Sequence, residues 1–480
     1  MTKQGDDPQP FILTLIADLR LHIADLLPHQ VFSFYESVGT MLSDHGPPIA
    51  LERENVVLQL MHLQADKWKD ILLRGAQNTA FLSEVGTARD LTFILRVNQR
   101  VCSSAGQIFI HQLSTIFLDM MNLYRFYADQ ICAGVAAQGP IAVKLTDFKA
   151  MRQVKSEILE LLNSFFAVCK DMDKNAQVTT MQTFLPPLSQ EVLVDYKNGP
   201  PAARDHRVLM LFASAVTTFK EALSSEIPPI MDHIFEPTLE MITANMSDYP
   251  EHRVMFFRYL QCANTHCFFG LFSVPAHHQK LVVDSIVWAV KHQERNISET
   301  GLEILQELLQ NISRNEQFAQ PFYSSFLLSL VQDIMGVMTD RLHKSGFKLQ
   351  AAILMNLFHM VQSGRCQAPL FDPAQHPGIA DNATFLKEHV GQLLLEAFKN
   401  LSQQQIISFV NGCFDVHVDL MAFKQHLRDF LINVKQFEQD VDNSELFSEE
   451  KQLQQEQETE ELQQYRKSVP GLLKPSELED

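Results

Sequence analysis

DYPEHRVMFFRYLQ, residues 248–261, decides how the rest of the chain is read, because it has the grammar of a helix start. Asp248 is placed to cap free backbone N–H groups, and Glu251 follows three residues later as in a capping box. Pro250 suits the first turn, where no N–H partner is required. The aromatic and leucine side chains that follow need a neighbouring apolar face. The stretch therefore predicts one helix of a packed, repeating array.

Working outward, apolar residues recur at three- and four-residue intervals through segments such as FIHQLSTIFLDMMNLYRFYADQI and QLLLEAFKNL, and alternating strand patterns are nearly lacking. The reading is all-α. Pro140, Pro187, Pro229, Pro275 and Pro321 are separated by 47, 42, 46 and 46 residues, each expected at the head of an amphipathic segment. A period of ~40–47 residues with two helices per unit is that of HEAT or armadillo solenoids, in which stacked neighbours complete one another's core. About ten helix pairs fit such a chain. In that frame residues 248–261 open the first helix of a pair whose second starts near Pro275.

The 480 residues exceed one ordinary core, and 46% hydrophobic with 20% charged residues is the balance of a folded chain. A net charge of −18 repels phosphate backbones, so no direct nucleic-acid partner is expected. Seven scattered cysteines without a Cys-x-x-Cys motif suit a reducing compartment. Residues 1–20 lack the basic and apolar regions of a secretory signal, and no run of about 18 uncharged apolar residues suggests membrane insertion. Residues 1–10 are expected to be a polar, disordered leader and 11–443 the repeat array. Residues 444–480 change character, with ten acidic against four basic residues and six glutamines. The stretch 448–467 is expected to be a polar helix, with the tail a candidate switch or contact element.

Chemistry-bearing candidates are few. Cys262, His266 and Cys267, joined by His252, invite a zinc reading, but two cysteines five apart on a helix do not converge like a zinc motif. Buried thiols and a satisfied histidine are the expectation, with no metal. His277 and His278 precede a helix without a nucleophile or paired carboxylate beside them and read as an exposed helix start. No phosphate-cradling glycine loop or hydrolase motif is present, so no catalytic residue, cofactor or enzymatic activity is expected. The 34 phenylalanines and 18 methionines read as inter-repeat core before they read as a peptide groove. KQHLRDFL (424–431) reads as a solvated, charge-mixed helix face, with docking of an acidic partner as the other possibility.

Particular strings carry more than the period does. LLPHQVFSFYESVG (26–39), LPPLSQEVLVDY (185–196), GPPAAR (199–204), EIPPIMDHIFEPTLEMI (226–242), DYPEHRVMFFRYLQCANTHCF (248–268), VVDSIVWAVKH (282–292), TGLEILQELLQN (300–311), AFKQHLRDFL (422–431) and SVPGLL (468–473) occur in order. Together, from about Phe11 onward, they resemble the C-terminal half of the exportin-1 family, the chromosome region maintenance exportins of the importin-beta superfamily.

That resemblance implies a HEAT-repeat nuclear transport receptor that binds leucine-rich export signals cooperatively with Ran-GTP. It also implies nucleoporin partners and shuttling between nucleus and cytoplasm. In the family the embrace of Ran, the acidic inner loop and the export-signal groove lie mostly upstream of this stretch, so Ran and cargo contacts carry over to no residue here. The family's C-terminal helix and acidic tail disfavour the cargo-binding state when Ran is lacking. Glu449, Glu450, Glu460 and Glu461 are the corresponding candidates for a regulatory tail. The alternative is a passive HEAT scaffold without nucleotide-dependent cargo binding. The opening MTKQGDDPQP looks like an arbitrary beginning of a longer receptor.

Overall fold

The computed structural model describes residues 11–43, 52–244, 248–340, 343 and 346–435. Among them the chain forms α-helices, short 3-10 turns and one π-turn, and no strand. The fold class is the all-α HEAT-repeat solenoid, as the periodicity predicts. The contacts divide into two compact units, and the division falls between Lys280 and Leu281.

In the first unit α1 (Phe11–Ala17) and α2 (Leu19–Ile23) lead into α3 (Pro28–Leu42), α4 (Arg53–Gln77) and the short α5 (Thr79–Leu82). Next come α6 (Val85–Ala105), α7 (Ile110–Gln138), α8 (Thr146–Val168), α9 (Lys174–Leu188) and α10 (Val194–Asn198). They are followed by α11 (Arg207–Phe219), α12 (Ile227–Ala244), α13 (Pro250–His266) and α14 (Phe268–Phe272). Two rows result. α3, α6, α8, α11 and α13 pack side by side in chain order, while α4, α7, the α9–α10 segment and α12 form the second row. Leu95, Leu159, Leu162, Val216 and Phe256, all fully buried, show why. Each amphipathic helix loses its apolar stripe to water unless a neighbour covers it, at about 25 cal/mol for each Å² left exposed.

α15 (Ala276–Val290) starts directly after Pro275, as expected, and contains the division between the units. The second unit continues with α16 (Arg295–Arg314), α17 (Glu316–Thr339), α18 (Phe347–Gln362), α19 (Asn382–Ala397), α20 (Gln403–Asp415) and α21 (Leu420–Lys435). α16, α18 and α21 pack in sequence, with α17 against both α16 and α18. α16 buries Leu302, Leu305, Leu308, Leu309 and Ile312, the three-and-four spacing of one helix face. By length and composition α17 meets the minimum for a membrane span, which the sequence reading had not expected of any segment. Half of that window is buried against the protein, as in the core helix of a packed array.

Two local expectations are corrected. Asp248 does not cap α13: the N-cap position is Tyr249, in the left-handed conformation (φ 57, ψ 48), and no side chain caps the helix. A left-handed tyrosine is uncommon, and with Tyr249 as the N-cap Asp248 stands one residue too early. Its carbonyl instead accepts a hydrogen bond from Arg253 Nη2 at 3.1 Å. Pro250 does occupy the first turn, and a reciprocal capping box forms elsewhere, between Ser402 and Gln405 at the head of α20. Second, Pro187 and Pro321 lie inside α9 and α17 rather than heading a helix. Neither Pro186 nor Pro187 can donate a backbone N–H, and the chain passes through a π-turn at Ser189–Leu193 before α10 resumes.

Candidate functional site

The loop between α10 and α11 gathers Arg204 and Asp205 beside His206 and Arg207 at the head of α11. In GPPAAR, Pro200 and Arg204 are extended on either side of a 3-10 turn at Pro201–Ala203, so the chain crosses the head of α11 with its side chains aimed at neighbouring helices. Arg204 donates to the carbonyls of Tyr196 (2.8 Å), Pro237 (3.1 Å) and Lys197 (3.2 Å). Asp205 accepts from Ser156 Oγ, from the Arg207 backbone N–H (2.9 Å) and from Arg207 Nη1 (3.4 Å). Arg207 Nε also donates to Glu160 at 2.6 Å.

Burial by itself would raise Asp205. The hydrogen bonds from Ser156 and Arg207, with the charges of Arg207 and His206, outweigh it and hold the carboxyl below its ordinary value. Arg207 is held above its ordinary value: burial works against it, and Glu160 and Asp205 win. Deeper between the rows, Lys155 Nζ reaches Asp195 at 2.7 Å and lies 4.6 Å from the Tyr124 ring centroid. Tyr124 Oη donates to the same carboxylate at 3.1 Å, and burial followed by the Asp195 charge pushes its phenol well up.

Above this network lies an open groove of about 560 Å³. Lys149 and Arg152 of α8 form one wall, Arg204 to Arg207 the floor, and Tyr249 to His252 at the head of α13 the other wall. His252 is 6% exposed, and its Nε2 has no hydrogen-bond partner. Burial, then the neighbouring His206, lowers its pKa to about 4, against a smaller upward pull from Asp205, the Arg204 backbone and Glu251. The ring is therefore neutral near pH 7. This arrangement favours recognition of an anion; none of these groups pairs a nucleophile with a base.

The other candidates are dispersed. Fourteen residues of helix separate His252 from His266, about 20 Å along the axis, so His252 cannot join the Cys262 group. Cys262 Sγ accepts from Thr217 Oγ1 at 3.3 Å, and Cys267 Sγ donates to the Lys220 carbonyl at 3.0 Å. Burial pushes the Cys267 thiol up to about 11. Among the described residues no group of three His, Cys, Asp or Glu is placed to hold a metal. His277 is exposed and His278 half-buried at the head of α15, their ring centroids 4.0 Å apart. Of the described phenylalanines only Phe11 and Phe269 are exposed, so the aromatic stripe is core.

The solvated reading of 424–431 is overturned. Lys424 and Arg428 are 7% and 4% exposed, and His426 stacks on Phe409 while meeting the Phe409 carbonyl at 2.7 Å. Lys424 and Arg428 are four residues apart and share the face of Leu427 and Leu431, so their aliphatic stems pack with it. Glu449, Glu450, Glu460 and Glu461, with the whole of 444–480, lie outside the described residues. Sequence reasoning missed Lys149, Arg152, Asp205 and Arg207. The available signal was the Pro-Pro loop followed by alternating charges, PPAARDHR (200–207).

Comparison with known proteins bears on what this architecture belongs to. Residues 112–439 match the family model described as CRM1 C terminal. Over 479 residues the chain is 39% identical to Protein EXPORTIN 1B of Arabidopsis thaliana, covering 99% of this chain and 43% of that protein. Exportin-1 of Schizosaccharomyces pombe is 39% identical over 481 residues, covering 100% of this chain and 44% of its own length. Exportin-1 of Drosophila melanogaster is 34% identical over 479 residues, again with 100% and 44% covered. The chain thus spans less than half the length of the relatives it matches. With stacked helices in each unit and a family match over most of its length, the chain belongs to the exportin-1 (CRM1) family and corresponds to its C-terminal region.

Proposed function

We propose that this chain is the C-terminal part of a nuclear export receptor that carries leucine-rich export-signal cargo out of the nucleus with Ran-GTP. The observation that supports this most is family membership: the C-terminal model matches 112–439, and relatives named exportins align with essentially the whole chain. In this reading the receptor shuttles between nucleus and cytoplasm and touches nucleoporins on the way. In this reading the export-signal groove lies mostly upstream of the stretch that this chain matches. Cargo and Ran-GTP prefer one receptor conformation, so each raises the other's affinity by the same factor. GTP hydrolysis is assigned to Ran; the chain supplies surfaces.

The test is nucleotide discrimination. A full-length receptor that contains this chain is titrated with Ran carrying a non-hydrolysable GTP analogue and with Ran-GDP. Binding at least tenfold tighter to the GTP form, about 1.4 kcal/mol, is expected. Equal binding of the two forms would turn the reading toward a passive scaffold.

A further inference from the structure

We propose that the groove at the head of α13 binds a phosphoryl group carried on a polypeptide side chain, a role independent of Ran or export cargo. Its charge is the first reason. Among the lining residues, Asp205 is committed to Ser156 and Arg207, and Arg207 is also committed to Glu160. Arg204 donates only to neutral carbonyls, and Lys149 and Arg152 have no ion-pair partner among the described residues. Two uncommitted cations, Lys149 and Arg152, therefore face one exposed acid, Glu251, while Arg204 is held by three carbonyls and the charges of Glu240 and Asp195. On a chain of net charge −18 this is a local reversal of sign, and at physiological salt the distant acids are screened beyond about 8 Å.

Backbone geometry is the second reason. α13 is 17 residues long, starts at a left-handed Tyr249 and has no side-chain cap. Pro250 has no N–H, so the Glu251 and His252 N–H groups and the positive end of the helix dipole are left to an outside acceptor. The third reason is His252, 94% buried in the groove wall with an unpaired Nε2. A phosphoryl group offers acceptor oxygens to the uncapped turn and to Lys149 and Arg152, and only its protonated oxygen, as a donor, completes the covered lone pair of Nε2.

Size bears on the carrier. Five heavy atoms at roughly a water's share of ~30 Å³ each fill about a quarter of the groove, which leaves room for the bearing side chain and flanking backbone. A nucleic acid would carry further phosphates out onto the acidic surface, where they are repelled.

The 480-residue chain is titrated by calorimetry with a five-residue phosphoserine peptide flanked by glycines, its unphosphorylated twin, inorganic phosphate and AMP. The phosphopeptide is expected to bind, and its twin not. The double variant Lys149→Glu/Arg152→Glu is expected to weaken binding at least tenfold with an unchanged melting temperature, because neither side chain has a partner to lose. His252→Gln, measured separately, should weaken phosphopeptide binding too. No phosphopeptide binding at millimolar concentration, or equal binding by the double variant, would overturn the site. Inorganic phosphate or AMP binding as tightly as the phosphopeptide would overturn the polypeptide carrier.

Discussion

His252 has a folded pKa of about 4 because burial disfavours its charged form, so the unfolded chain takes up a proton first as pH falls. Its contribution to stability is complete above the ordinary histidine value of ~6.5 and is lost progressively between there and about pH 4, on the order of 3 kcal/mol in all. Urea unfolding across that window should show the loss, and His252→Gln should flatten the profile. A profile of unchanged slope in the variant would mean the ring is not held neutral. At the neighbouring Asp248, Ala substitution should change stability by less than about 0.5 kcal/mol, because the ~0.5–2 kcal/mol of a lost cap applies only where a cap exists. That difference was not legible in DYPEHR: the letters suit a capping box, and only the left-handed turn at Tyr249 shows that the register is off by one. Lys424 and Arg428 misled for a related reason. A charged head on a long apolar stem is written identically whether the stem is buried or solvated.

Between elements, Lys155–Asp195 joins α8 to α10 with both side chains largely buried. Breaking a buried pair strands its partner, so Asp195→Ala should cost about 3–5 kcal/mol. The double variant Lys155→Met/Asp195→Leu should recover most of that loss in chemical denaturation. If the double variant is no better than the single, the stranded charge is not the source of the cost. In the second unit, α16 approaches α15 at Gly301, where an added Cβ would lie 2.7 Å from the Val290 nitrogen and 2.9 Å from the Ala289 Cβ. Gly301→Ala should therefore destabilise by about 1–3 kcal/mol through overpacking, read as a lowered melting temperature. Helices themselves were legible because the apolar spacing survives in any context. The groove was not, because its walls come from 149–152, 204–207 and 249–252, and nothing along a line of letters announces that three such stretches meet.

For the molecule as a whole, all seven cysteines are free, with only Cys132 and Cys262 outside the buried class. Native chain treated with a thiol reagent at pH 8 should modify those two first, the other five reacting only after denaturant is added. Rapid modification of all seven would contradict the described packing. The proline spacing is uneven, from 42 to 47 residues, and the prolines do not mark equivalent points of successive helices, since Pro187 and Pro321 lie inside α9 and α17. The π-turn at Ser189–Leu193 shows one way an array lives with such unevenness. A π-turn stores one surplus residue within a helical path without turning the downstream face away from its neighbours. Removal of a single residue there would leave an uninterrupted α-helix in unchanged register. The same deletion in the middle of α8 would rotate every later side chain by about 100°. This segment is thus where one residue can be removed from the chain without dismantling the stack.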